Sequence, residues 1–281
     1  MSIRIHHLNC GTMCPFCERL INNRAGSLIK PGEFVCHCLL IEAPDGLILV
    51  DTGLGTRDIV EPRHRLGMAY RTLFKPRLGM EETAVEQIRR LGFKASDVRH
   101  IALTHVDLDH AGGLADFPEA LVHIFKPELE QLREPGFRER SRFRQVQFEH
   151  GPNWVVHEEQ GEQWFGFSSI RPIPGLSTDV LLIPLVGHTR GHTGVAVKQG
   201  DRWLLHCGDA YYHRSQVTDN PQVPSASMMF QKAVASIPSA RAKNLERLRQ
   251  LALHHGDQVE LFSSHDPVEL ARYSATSHAS N

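Results

Sequence analysis

Between Leu103 and Gly113 the chain reads Leu-Thr-His-Val-Asp-Leu-Asp-His-Ala-Gly-Gly, which crowds His105, Asp107, Asp109 and His110 into one short run. Imidazole and carboxylate are the usual protein ligands for Zn, Fe and Mn. Four such groups packed together without a cation would leave carboxylates repelling one another. The plainer explanation is a polar loop with two ordinary histidines, and the rest of the chain argues against it.

The apolar run Ile101 to Leu103 reads as a buried strand, and Ala111 to Leu114 can open a helix, so the cluster sits where a strand ends. In α/β sheets that end is where ligand crevices form. The same syntax recurs three times. Val180 to Val186 leads to His188, Trp203 to Leu205 leads to Asp209, and Val259 to Phe262 leads to His265. Four strands therefore deliver imidazoles and carboxylates to one rim.

The series Thr104-His105-x-Asp107-x-Asp109-His110, Gly187-His188-Thr-Arg-Gly-His192, Gly208-Asp209 and His265-Asp266 resembles the metallo-β-lactamase superfamily of binuclear metallohydrolases. Asp51-Thr-Gly53, after Leu47 to Val50, is similar to that family's early Asp-Thr-Gly turn, and the match runs from about Val35 to about Leu270. The resemblance implies an α/β fold, an αββα sandwich of two mixed sheets with outer helices. It also implies two divalent cations, with Zn favoured and Mn or Fe tolerated, that activate water. Metal 1 would take His105, Asp107 and His188; metal 2 would take Asp109, His110 and His265; Asp209 would bridge. Of the two histidines in Gly-His-Thr-Arg-Gly-His, the family's ligand is the first, and His192 supports the turn.

Asp107 stands where the family motif has a histidine. If it ligates, the first site becomes a harder set of two imidazoles and a carboxylate. If its shorter side chain falls short, that site is weak or empty. Ligation is favoured, because a buried carboxylate beside a metal rim is costly unless coordinated or paired.

Tyr212, three positions past Asp209, resembles a tyrosine of N-acyl homoserine lactonases that contacts the substrate carbonyl; Tyr211 is its nearest competitor. The implied reaction is attack of activated water on an ester-type carbonyl, most simply a lactone. Tyr212 would donate a hydrogen bond to the developing charge, and Asp109 would shuttle a proton. Asp266 would accept an imidazole N–H. Competing readings are a thioesterase similar to glyoxalase II, a phosphoester or organophosphate hydrolase, and a binding protein weakened by Asp107.

The elements that must position these residues come next. At 281 residues with 41% hydrophobic and 22% charged content, one α/β domain spanning 1–281 is expected. A formal net charge of -1 gives no field for nucleic acid or an anionic membrane. There is no run of about 18 apolar residues and no secretory leader, so a cytoplasmic protein with a small-molecule substrate is expected. A homodimer is compatible with this reading.

Ile3 to Leu8 predicts a first strand, 10–33 a loop, and Phe34 to Ile41 with Leu47 to Val50 a hairpin across Pro44-Asp45-Gly46. Cys36 and Cys38 share one strand face and read as core or pocket wall. A zinc or redox role with Cys10, Cys14 and Cys17 is the alternative. The stretches 54–80, basic and without clean period, and 213–238, with Met228, Met229 and Phe230, are expected insertions. The first would form a lid, a subunit contact or a solvated basic surface; the second would shape the pocket or fill a core patch.

Helices are predicted over Glu81 to Leu91 with Ala84, Val85, Ile88 and Leu91 inward, over Pro127 to Arg133, and, as the final helix, from a Ser239 cap to His255. Arg138, Arg140, Arg142 and Arg144, at alternate positions, read as a solvated surface.

Overall fold

The central strands are buried on both faces, and because successive side chains point to opposite sides, those two faces feed different cores. The computed structural model describes residues 3–22, 26–44, 46–137, 139–140, 142–159, 161–173 and 179–276. Asp45 of the expected hairpin turn and Arg138 of the arginine run lie outside these.

The first sheet contains β1 (Arg4–Met13), β2 (Phe34–Ala43), β3 (Gly46–Val50), β4 (Pro76–Arg77), β5 (Val98–Ala102), β6 (Leu121–Phe125) and β7 (Asn153–His157), in the order β4-β1-β2-β3-β5-β6-β7. β1, β2 and β3 pair antiparallel, and β3, β5, β6 and β7 parallel. A small hairpin, β8 (Glu162–Trp164) with β9 (Phe167–Ser169), precedes the second sheet. That sheet orders β10 (Val180–Pro184), β11 (Thr193–Gln199), β12 (Arg202–His206) and β13 (Val259–Phe262), with β13 parallel to β12.

The helices are α1 (Glu18–Ile21), α2 (Thr56–Val60), α3 (Pro62–Arg65), α4 (Gly67–Phe74), α5 (Ala84–Arg90), α6 (Leu108–Ala111), α7 (Lys126–Arg133), α8 (Ser225–Val234), α9 (Pro238–His255) and α10 (Pro267–Thr276). Three cores separate four layers. Cys36, Cys38 and Leu40 of β2 pack outward with Ile88 of α5 and Leu129 of α7. Leu39 and Ile41 of the same strand face inward, against Leu182, Val195 and Phe262 of the second sheet. Ile183 and Leu205 pack outward against Leu248 and Leu251 of α9. This is the expected αββα sandwich of two mixed sheets.

Several boundaries differ from the sequence reading, the strand through pairing with distant partners and the helices through local capping. β1 continues to Met13, since Thr12 and Met13 pair with both β2 and β4 beyond a bulge after Asn9. α5 starts late because the Thr83 side chain accepts from Glu86 N, and Leu91 at its end is exposed rather than inward. Ser239 lies inside α9, whose first residue is Pro238. α10 follows it, so α9 is not the last helix. The 54–80 stretch folds as α2, α3, α4 and β4.

Candidate metal centre

β3 ends at Val50; Asp51 just beyond it takes a φ of 55°, and Gly53 follows at φ 62°. A Cβ on Gly53 would stand 2.1 Å from the Cys10 carbonyl oxygen, so only glycine lets the turn lie against β1. This puts the Asp51 carboxylate at the centre of the rim. It accepts from Thr104 N and Thr104 Oγ1, both at 2.7 Å, and from His110 Nδ1 at 2.8 Å. Burial opposes the charge on Asp51, but the His110 ring holds its carboxyl below the usual range.

Because Thr104 Oγ1 donates to Asp51, it accepts from His105 Nδ1 at 2.9 Å. His265 Nδ1 donates to Val35 O at 2.8 Å. Three imidazoles thus turn Nε2 inward, as metal-bound histidines do, and against the effect of burial Asp209 beside them raises His110 and His265. His188 and His192 are placed differently. His192 donates from Nδ1 to Leu185 O at 3.1 Å and accepts from Asp209 N at Nε2 at 2.9 Å, so both ring nitrogens serve the turn.

Two sets of donors result: His105, Asp107, His188 and Asp209 in one, and Asp109, His110 and His265 in the other. In the first, Asp107 Oδ2 lies 3.2 Å from His105 Nε2 and 3.1 Å from His188 Nε2, while Asp209 Oδ2 lies 3.8 and 3.2 Å from the same atoms. In the second, Asp209 Oδ1 lies 3.2 Å from His110 Nε2 and 3.0 Å from His265 Nε2, and Asp109 Oδ2 is 3.6 Å from His265 Nε2. A tetrahedral ion with bonds near 2.0–2.2 Å needs donor separations of about 3.3–3.5 Å, so both sets fit a cation. His110 Nε2 and Asp209 Oδ1 are moreover buried 3.2 Å apart with no aligned hydrogen-bond partner, so a proton or a cation between them would satisfy both.

Burial disfavours charge on Asp209, yet the rings of His265, His110 and His188 hold it well below the ordinary carboxylate range. His188 is pushed down to about 3, chiefly by burial and then by Arg142, which leaves its ring neutral. Asp107 is shielded from water, but Arg142 and then His105 keep it ionised.

Arg142 corrects the sequence reading most. Its Nε donates to Asp107 Oδ1 at 2.5 Å, Nη2 meets Asp107 Oδ2 and His188 Nε2, and Nη1 donates to Val234 O at 2.8 Å. Asp107 is thus paired, so its burial alone does not require a cation; the donor distances carry that argument. Arg140 is exposed as expected, and Arg144 donates to Arg65 O and His64 O. The detectable signal for Arg142 was the charge imbalance created by a carboxylate in an imidazole's place. Glu128 was also missed. It is fully buried in α7 and accepts from Val106 N at 2.9 Å and Gly191 N at 3.1 Å, tying the His105 loop to the His188 turn. Nothing in the sequence marks it, since its partners are distant backbone amides.

Asp107, Asp109, His188, Asp209 and His265 line a cavity of about 750 Å³. Met13, Phe34, Tyr70, Leu73, Phe74 and Phe230 form one wall, and Arg142, Arg190 and Glu139 line another part. The 54–80 stretch therefore contributes a pocket wall through α4. Phe230 does so from 213–238, whereas Met228 and Met229 are exposed. Tyr212 faces the cavity, its ring 5.0 Å from that of His265, and burial followed by Asp209 raises its phenol. Tyr211 is buried in the outer core and donates to Glu269. Asp266 accepts from Arg214 and Val268 N rather than from an imidazole. Among the described residues no cysteine belongs to a group able to hold a metal; Cys10, Cys36 and Cys38 are core.

A model described as the metallo-beta-lactamase superfamily matches residues 31–261. A probable metallo-hydrolase of Mycobacterium tuberculosis is 42% identical over 276 residues, covering 97% of this chain and 84% of that protein. An N-acyl homoserine lactonase of Bacillus cereus is 26% identical over 253 residues, covering 88% of each. A solved N-acyl homoserine lactone hydrolase, with N-hexanoyl-L-homoserine bound at its catalytic metal center, shares the fold. Its TM-score is 0.68 at 21% identity, over 96% of each chain. The matched span takes in the Asp51 turn, the His105 to His110 loop, His188 and Asp209, and the chain belongs to the metallo-beta-lactamase superfamily as one of its metallo-hydrolases.

Proposed function

We propose that the protein is a hydrolase of ester-type carbonyls, best a lactone carrying an acyl chain such as an N-acyl homoserine lactone, and that it holds two divalent cations, zinc foremost. The observation that carries this reading is Asp209, whose Oδ1 faces His110 and His265 of one donor set while Oδ2 lies 3.2 Å from His188 of the other as well as from His265, beside a pocket with an apolar wall. His105, Asp107 and His188 would hold one ion, Asp109, His110 and His265 the other, with Asp209 shared. Such a pair, when bound, makes water nucleophilic near neutral pH and polarises a carbonyl.

The chain's own groups do the rest. Tyr212 directs its phenol into the cavity beside Asp209, where it can donate to an oxygen gaining negative charge. Asp109 lines the same cavity and can carry a proton to the departing alkoxide, which in a lactone stays on the product. The aromatic wall suits an acyl chain, and relatives named N-acyl homoserine lactonases support that choice.

The test is a zinc-reconstituted sample offered acyl homoserine lactones, acyl thioesters, phosphodiesters and phosphotriesters. Preferential lactone opening, read as acid release, is expected. Turnover confined to thioesters or phosphoesters would replace lactones as the substrate. No turnover with less than one metal per chain would leave a binding protein.

A further inference from the structure

We propose that Arg142 is a positioning residue of the metal centre: its guanidinium fork sets the Asp107 carboxylate as a ligand and offsets the charge that this carboxylate adds. The inference rests on the two-cation reading above.

An aspartate at 107 differs from an imidazole in reach and in charge. Its shorter side chain has rotamers that turn away from His105 and His188, and an unclamped carboxylate would sample them. Arg142 removes that freedom. Nε holds Oδ1 at 2.5 Å and Nη2 holds Oδ2, the planar two-point grip that lysine cannot make. The gripped carboxylate keeps Oδ2 at 3.1–3.2 Å from His188 and His105 Nε2.

Arg142 is itself held. Nη1 donates to the carbonyl of Val234, the last residue of α8, and more weakly to that of His188. Its side chain is only 18% exposed. An arginine on a solvated face has no such set of fixed acceptors.

The charges agree with this role. Asp107, Asp109 and Asp209 place three carboxylates against two dications, leaving one positive charge over. Arg142 restores the second, the balance that an imidazole at 107 would give unaided. Nη2 also meets His188 Nε2, so the guanidinium could instead compete with a cation for that lone pair. Its removal then has two opposite consequences, and measurement separates them.

Zinc content and affinity are measured by equilibrium dialysis, with cobalt d–d spectra as a second readout and circular dichroism to confirm folding. The wild-type protein is expected to bind two equivalents. Arg142→Met should keep one and weaken the other by about 10–100-fold, the usual cost of losing a group that orients a ligand. Asp107→His in the Arg142→Met background should restore the second equivalent, because an imidazole needs no clamp and no countercharge. Asp107→His alone, which leaves the guanidinium facing a neutral ring, should not. If Arg142 merely shaped the Val234 turn, that rescue would fail.

Wild-type or tighter binding of both equivalents by Arg142→Met overturns the proposal and makes Arg142 a competitor. Equal binding by Asp107→His with and without Arg142 also overturns it. Fewer than two equivalents in the wild-type protein would overturn the two-cation reading, and this proposal with it.

Discussion

Asp209 reaches both donor sets, Oδ1 toward His110 and Oδ2 toward His188 with His265 near both oxygens, and an amide cannot copy that. Asp209→Asn offers one acceptor oxygen and turns two protons toward imidazoles. Metal content should fall to one equivalent or less, and kcat by at least about 10²-fold; two retained equivalents would end the bridging role. Tyr212→Phe removes only a donor. It should lower kcat by about 10²-fold with metal content unchanged, and an unaltered kcat would remove the phenol from the mechanism. At this scale the sequence was legible where chemistry depends on spacing. His105, Asp109, His110, His188, Asp209 and His265 all converge, and His192 does not. It was illegible where a residue acts through the fold. Arg142 stands in a run of alternate arginines that composition alone reads as solvated.

The elements around the rim are locked by buried charge. Arg65 of α3 donates to Asp58 of α2 at 2.8 Å, to Gln147 at 2.9 Å and to Val146 O at 2.8 Å, and more weakly to Gly112 O just past α6. A segment expected only to be basic and aperiodic is thereby fastened to the loop that follows His110. Asp58→Ala would leave the guanidinium buried and unpaired. It should cost about 3–5 kcal/mol in urea unfolding, whereas a loss under about 1 kcal/mol would show that water replaces the pair. Glu128→Gln sets an amide N–H against a backbone N–H of Val106 or Gly191. The expected cost is about 1–3 kcal/mol, with weaker zinc binding as the His105 and His188 loops loosen. Unchanged zinc affinity would make Glu128 a matter of stability alone. Element boundaries were less legible than element types, since β1 is lengthened by partners in β2 and β4 that no local window contains.

Over the whole molecule, the layering was legible through the family resemblance that the ligand motifs carry, while the inward faces of α5 and α9 were legible from their period. What neither revealed is that the space between the sheets is flanked by histidines. His7 lies 2.8 Å from His37, whose carbonyl accepts from His206; His123 joins His100 and His157 at 2.9 Å each. Burial lowers all six, His7 and His123 to about 3. The folded protein therefore refuses protons that the unfolded chain takes up near pH 6.5. The contribution to stability is whole above that value and is lost as pH falls toward 3. By about pH 4.5, His7 and His123 should each have cost about 2–3 kcal/mol. Urea midpoints of chelated protein, which exclude metal loss, should drop steeply between these limits; a flat profile would contradict burial of the neutral rings.

β13 enters last, laid against β12 at the rim of the second sheet, and His265 behind it reaches across to the Val35 carbonyl on β2. During synthesis the proposed cation floor thus stays open until β13 and His265 have left the ribosome, and a message cut short upstream of that strand encodes a chain without the His265 donor.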